Sequence, residues 1–149
     1  MSANRRRPGL NARWLMALVL ALLAGLAWLT APYSPRQAEQ LADNFIARLQ
    51  AGDFVAAYQL TAHTPALGSS PAQLALLART QLCAGAQRVS SFPPQSNGNR
   101  LRRWLQGREV EQAELHFEYT DQGACLLRVV LGRTASGQWQ VQRFARHAG

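Results

Sequence analysis

Ala113-Glu114-Leu115-His116-Phe117-Glu118-Tyr119, the end of the run from Glu109 to Tyr119, is the stretch that decides the fold. Ala113, Leu115, Phe117 and Tyr119 are apolar or aromatic, while Gln112, Glu114, His116 and Glu118 between them are polar. Alternation of period two describes a strand with one buried and one wet face, the pattern of an antiparallel sheet. Asp121-Gln122-Gly123 predicts a turn, and Ala124 to Gly132 the return strand. Ser136-Gly137 turns again into a strand from Gln138 to Phe144, with Trp139 and Val141 on one face. The predicted inward set is Ala113, Leu115, Phe117, Tyr119, Leu127, Val129, Leu131, Trp139 and Val141, with Cys125 on the same parity. Glu114, His116, Glu118 and Arg128 fall on the opposite face, as a cross-strand ladder of charge, the alternative being a catalytic Glu–His pair that a one-residue shift of register would bring inside.

Upstream the period is helical. Ser34-Pro35-Arg36-Gln37 reads as a helix start, with Ser34 as N-cap, Pro35 at the first position and Gln37 closing a capping box. Ala38, Leu41, Ala42, Phe45, Ile46 and Leu49 form one stripe, and Gly52 ends it. Asp53 caps a shorter helix carrying Phe54, Ala57, Tyr58 and Leu60. Ser70-Pro71-Ala72-Gln73 repeats the start signal, and Leu74, Leu77, Ala78 and Leu82 make a third stripe ending near Gly85. Residues 87 to 92 suit a short strand, 93 to 99 (PPQSNGN) a loop, and the chain from Leu101 more β-structure. Three helices followed by an antiparallel meander is an α+β pattern.

Before all of this lies WLMALVLALLAGLAWLTA, residues 14 to 31, without a charge. At 1.5 Å per residue it spans about 27 Å, close to the hydrocarbon thickness of a bilayer. Trp14 and Trp28 lie near its ends, where aromatic rings favour the interface. Arg5, Arg6, Arg7 and Arg13 precede it without an accompanying acid, which predicts an N-terminus in the cytoplasm and a C-terminal domain outside. The rival reading is a cleaved signal peptide, but Gly25-Leu26-Ala27 would cut inside the apolar run and Pro32 follows Ala31. The expected organisation is a basic cytoplasmic segment (1–13), a transmembrane anchor (14–31), a linker (32–33) and an extracytoplasmic α+β domain (34–149). In a bacterium this places the chain in the inner membrane, single-pass, with its domain in the periplasm.

The net charge of +8 divides accordingly. From Ser34 onward 12 Arg face 8 acids, so half of the basicity belongs to the topology signal. Cys83 and Cys125 permit one disulfide in an exported domain, or are two buried small hydrophobes.

The junction Leu49-Gln50-Ala51-Gly52-Asp53-Phe54-Val55-Ala56-Ala57-Tyr58 and the final Gly137-Gln138-Trp139-Gln140-Val141 resemble the nuclear transport factor two-like, or SnoaL-like, cone-fold superfamily, in particular its small exported bacterial members of unassigned function. The resemblance covers roughly residues 38 to 144 and implies a curved sheet of about four strands closed by helices. That superfamily hosts enzymes, ligand binders, transport adaptors and secretion scaffolds, so the fold does not fix the function. Enzymes of this fold generally need an acid/base pair inside the cone, where here only Tyr119 offers a polar group beside Cys125, and no base stands next to it in the sequence. His63, His116 and His147 share no metal spacing, so neither metal nor cofactor is expected.

Two surfaces remain. Phe117, Tyr119, Trp139 and the small Ala113 are candidates to line a pocket for an apolar ligand. Arg100, Arg102, Arg103 and Arg108 around Trp104 are candidates for an interaction surface toward anionic headgroups or an acidic protein face, or else a solvated edge strand. A position outside the cytoplasm argues against nucleic acid. The leading expectation is a non-catalytic anchored module that contacts another envelope protein or a second copy of itself.

Overall fold

The computed structural model describes residues 12–121 and 125–148. The expected turn at Gln122-Gly123 and the arginines at 5 to 7 lie outside the described residues. The chain opens with α1 (Ala12–Thr30), 19 residues long, apolar on every side, with no residue buried. It is long and apolar enough to cross a membrane.

The segment expected to be a linker is instead a strand. β1 (Pro32–Tyr33) leads into α2 (Arg36–Gln50), α3 (Phe54–Gln59), a 3₁₀ turn (Pro65–Leu67) and α4 (Pro71–Gln81). β2 (Gln87–Phe92), β3 (Gln95–Ser96) and α5 (Asn97–Leu105) follow, then β4 (Glu114–Thr120), β5 (Cys125–Arg133) and β6 (Trp139–Ala148). β1 pairs antiparallel with β3, Pro32 opposite Ser96 and Tyr33 opposite Gln95. The main sheet is antiparallel in the order β2-β4-β5-β6.

The register explains the core. Leu115 stands opposite Leu131, Phe117 opposite Val129 and Tyr119 opposite Leu127. β6 continues with Phe144 opposite Val129 and Val141 opposite Leu131. All eight side chains are buried, and α2 covers them with Ala38, Ala42, Phe45, Ile46 and Leu49. A side chain such as Ile46 or Leu49 contributes about 1.5–3 kcal/mol when taken from water to such a site. Leu67, Leu74 and Ala78 close the layer from the 3₁₀ turn and α4. An irregularity after Val130 puts two β6 steps against one on β5, which lets both Val141 and Phe144 face inward.

The helix starts divide. Asp53 accepts from the Ala56 amide and Ser70 from the Gln73 amide, as their capping sequences predict. α2 begins one residue later than read. The Pro35 carbonyl takes the first helical bonds, from Ala38 and Glu39, and the Ser34 hydroxyl bonds the Glu39 side chain instead. Gly52, at φ 75°, makes the left-handed break between α2 and α3 that a side chain would strain.

Two further expectations fail. Residues 97 to 105 are a helix, not loop and strand. Ser96 caps it by accepting from the Asn99 amide, and Leu101, Trp104 and Leu105 recur at a helical spacing that the arginines obscure. Ala113 is exposed; β4 begins only at Glu114, so Ala113 precedes the paired, inward-facing register.

Candidate interaction surface beside the apolar helix

The end of α1 is stitched to the domain. The Asn97 amide donates to the Ala31 carbonyl at 3.3 Å, and the Asn97 side chain to the Trp28 carbonyl at 3.1 Å. Gly98 faces the Leu29 carbonyl so closely that a Cβ there would stand 3.0 Å from it. A side chain at Gly98 would push the start of α5 a few tenths of an ångström from the end of α1.

Tyr33 continues the seam. Its hydroxyl donates to Glu111 Oε1 at 3.1 Å, Arg100 Nη2 reaches the same oxygen at 2.8 Å, and the Arg100 guanidinium lies 3.6 Å above the Tyr33 ring. Burial, and then the bond to Glu111, push the Tyr33 hydroxyl above its ordinary range. Arg103 is equally committed. Its Nε donates to the Glu109 carbonyl at 2.6 Å, Nη1 to Gln112 Oε1 at 2.8 Å and Nη2 to the Glu111 carbonyl at 3.0 Å. The five candidates therefore separate. Arg100 and Arg103 hold α5 to the chain after it, whereas Arg102, Trp104 and Arg108 face outward.

The pocket candidates separate too. Phe117 and Tyr119 are sealed in the core, Ala113 is on the surface, and Trp139 is half-buried with Arg133 over its ring. Trp139 instead borders a surface cleft of about 570 Å³ with Tyr33, Arg36, Glu111 and Arg133. Beside it, Glu111 Oε2 and Arg100 Nε are buried without a hydrogen-bond partner among the described residues.

Tyr119 does have a carboxylate at its side. Its hydroxyl donates to Asp43 Oδ1 at 2.8 Å, and Arg88 bridges Asp43 at 3.4 Å and Glu39 at 2.8 Å. Sequence reading missed this set because it joins α2 to β2 and β4 across long separations. Burial and then Asp43 raise the Tyr119 pKa strongly, so the group stays a neutral donor. The Glu39 carboxyl is lowered: burial alone works to raise it, but bonds from Ser34 and Arg88 outweigh that.

The outer face of the sheet carries Glu114, His116, Glu118 and Arg128 as the alternation predicts. His116 pairs with Glu114, two residues away on the same strand. The Tyr58 ring meets His63 at 4.5 Å between centroids, and His147 lies opposite Leu126 at the sheet edge. No three His, Cys, Asp or Glu side chains gather as a metal-binding group among the described residues.

Glu118 gives a pH prediction. Arg128 Nη2 at 2.7 Å and the Ser90 hydroxyl at 2.8 Å hold its carboxyl below the usual carboxylate range. A carboxylate lowered on folding stabilises at neutral pH, and that contribution is lost as pH falls through the folded pKa. Glu118→Gln should cost about 1 kcal/mol at neutral pH and nothing once the native carboxyl is protonated. Denaturant unfolding of both proteins at neutral and acidic pH measures it. A cost that persists in acid would contradict the pairing.

Comparison with family models, curated proteins and solved structures finds no match to this chain.

Proposed function

We propose that this chain is a non-catalytic protein-interaction or scaffold module, carried on a single membrane span and held at a fixed attitude to the bilayer. The observation that carries the reading is the seam. β1 pairs with β3 directly after α1, and Asn97 bonds two carbonyls at the α1 end. A flexible tether needs no such bonds, while a module that must point its surfaces in one direction does. The span itself is supported by α1, whose apolar side chains are nearly all exposed among the described residues. The disulfide between Cys83 and Cys125 suits an exported domain in an oxidising compartment. Helices on one face of an antiparallel sheet agree with the SnoaL-like cone resemblance, and the reading places the domain in the periplasm of a bacterial inner-membrane protein.

The surface offered to a partner is the outer edge of β2, which pairs on one side only, with β4, among the described residues. Val89 and Phe92 are exposed there. An open edge with apolar side chains is suited to strand addition by another envelope protein or a second copy. The inside of the domain is filled by Phe45, Phe117, Leu127, Val129 and Phe144. A ligand-binding role would therefore fall to the cleft between Tyr33 and Trp139, where Arg36, Arg133 and Glu111 in the lining favour a polar ligand over an apolar one.

The test is in-cell crosslinking of a C-terminally tagged full chain, with purification from membranes. The expected result is a stoichiometric partner, lost in the Val89→Asp, Phe92→Asp variant. Turnover of a substrate that disappears with Tyr119→Phe or His116→Ala would overturn the non-catalytic reading.

A further inference from the structure

We propose that α5 is an interfacial helix, lying at the headgroup layer of the same bilayer that α1 crosses and binding anionic lipid headgroups. The inference rests on the proposed span. Its own basis is the outward stripe of α5. Trp104 is 64 % exposed, Leu105 70 % and Leu101 38 %. At spacings of three and four residues these side chains share one helical face. Gly98, three residues before Leu101, begins the same side of the helix and touches the end of α1.

Position decides among possible occupants. At 1.5 Å per residue α1 is about 28 Å long, so with its residues in the hydrocarbon the Trp28–Ala31 end reaches the interface. α5 starts on those very carbonyls, so it cannot be far from the headgroups when α1 is inserted. An apolar stripe with an exposed tryptophan is the composition that partitions there.

Charge points the same way. α5 contains no acid. Arg100 is matched by Glu111, but Arg103 spends its donors on two carbonyls and an amide, which leave its positive charge uncompensated. Among the described residues Arg102 bonds only the neutral Asn99 side chain, at 3.2 Å, and Arg108 is exposed. Glu109, exposed and next to Arg108 in sequence, pairs with Arg133 at 3.8 Å. Two outward arginines, Arg102 and Arg108, beside an apolar stripe, with the uncompensated charge of Arg103 behind them, suit a surface of anionic lipid.

The test uses the full chain reconstituted in vesicles of phosphatidylethanolamine and phosphatidylglycerol, with acyl chains brominated near the headgroups. Tryptophan quenching is compared for the native chain, Trp28→Phe and Trp104→Phe. The expected result is that each substitution removes a separate, comparable part of the quenched emission. If Trp28→Phe removes its part and Trp104→Phe changes nothing, α5 is not at the interface, while the span stands. If neither contributes, the span fails and the inference with it. Trp104 emission shielded from both bromine and aqueous acrylamide would mean that a protein covers the stripe, which also overturns the proposal.

Discussion

Replacing both Cys83 and Cys125 by alanine should lower the melting temperature of the full chain in detergent by about 10–15 °C. The two residues join the exit of α4 to the first residue of β5, with Cα atoms 5.9 Å apart and a sequence separation of 42. Closing a loop of that size removes denatured-chain entropy worth about 3–4 kcal/mol. Both residues are also buried in the core, so the bond holds the helical layer to the sheet where apolar contacts already exist. Alanine keeps the site apolar and isolates the crosslink. A variant that melts within a degree or two of the native chain would show that the folded and unfolded states are equally constrained without the bond.

The second large effect is expected at Phe45. This ring is fully buried on α2 and meets Phe144 of β6 edge-on, at 5.6 Å between centroids and 69° between planes. It is the largest α2 side chain wedged against the sheet, so Phe45→Ala should cost about 3–5 kcal/mol. Part of that loss is the edge-to-face contact, about 1 kcal/mol. Domains of this size have total stabilities of about 5–15 kcal/mol, so the variant should be near the limit of folding. Phe45→Leu should keep more than half of the lost energy, because it refills most of the volume. Chemical denaturation of the three proteins measures the series. Equal midpoints for Phe45→Ala and the native chain would place α2 elsewhere than on the sheet.

What could be read from the sequence follows from which signals are periodic. The alternation from Leu115 to Tyr119 and the stripe from Ala38 to Leu49 each repeat often enough to fix a face, and each face is buried where it was expected. Asp53 and Ser70 were legible because a cap is a local bond between near neighbours. The pairing of β1 with β3 involves two residues on each side, too few for any pattern. α5 was hidden because glycine, asparagine and arginine dominate a nine-residue helix whose apolar stripe is three side chains. Arg100 and Arg103 read as surface charge, since nothing in the sequence shows that Tyr33 and residues 109 to 112 return to meet them. Asp43 escaped notice for the same reason: its partner Tyr119 lies 76 residues away.

The claim on which the rest depends is that α1 stays attached, spans the bilayer and carries the domain on the outer side. Protease added to spheroplasts of bacteria expressing a C-terminally tagged full chain tests it directly, with the membranes then washed in alkaline carbonate. The account predicts that the chain resists the wash and that the tag is removed by external protease without lysis. A tag protected until the cells are lysed, or a chain recovered in the soluble fraction without its apolar segment, would contradict it.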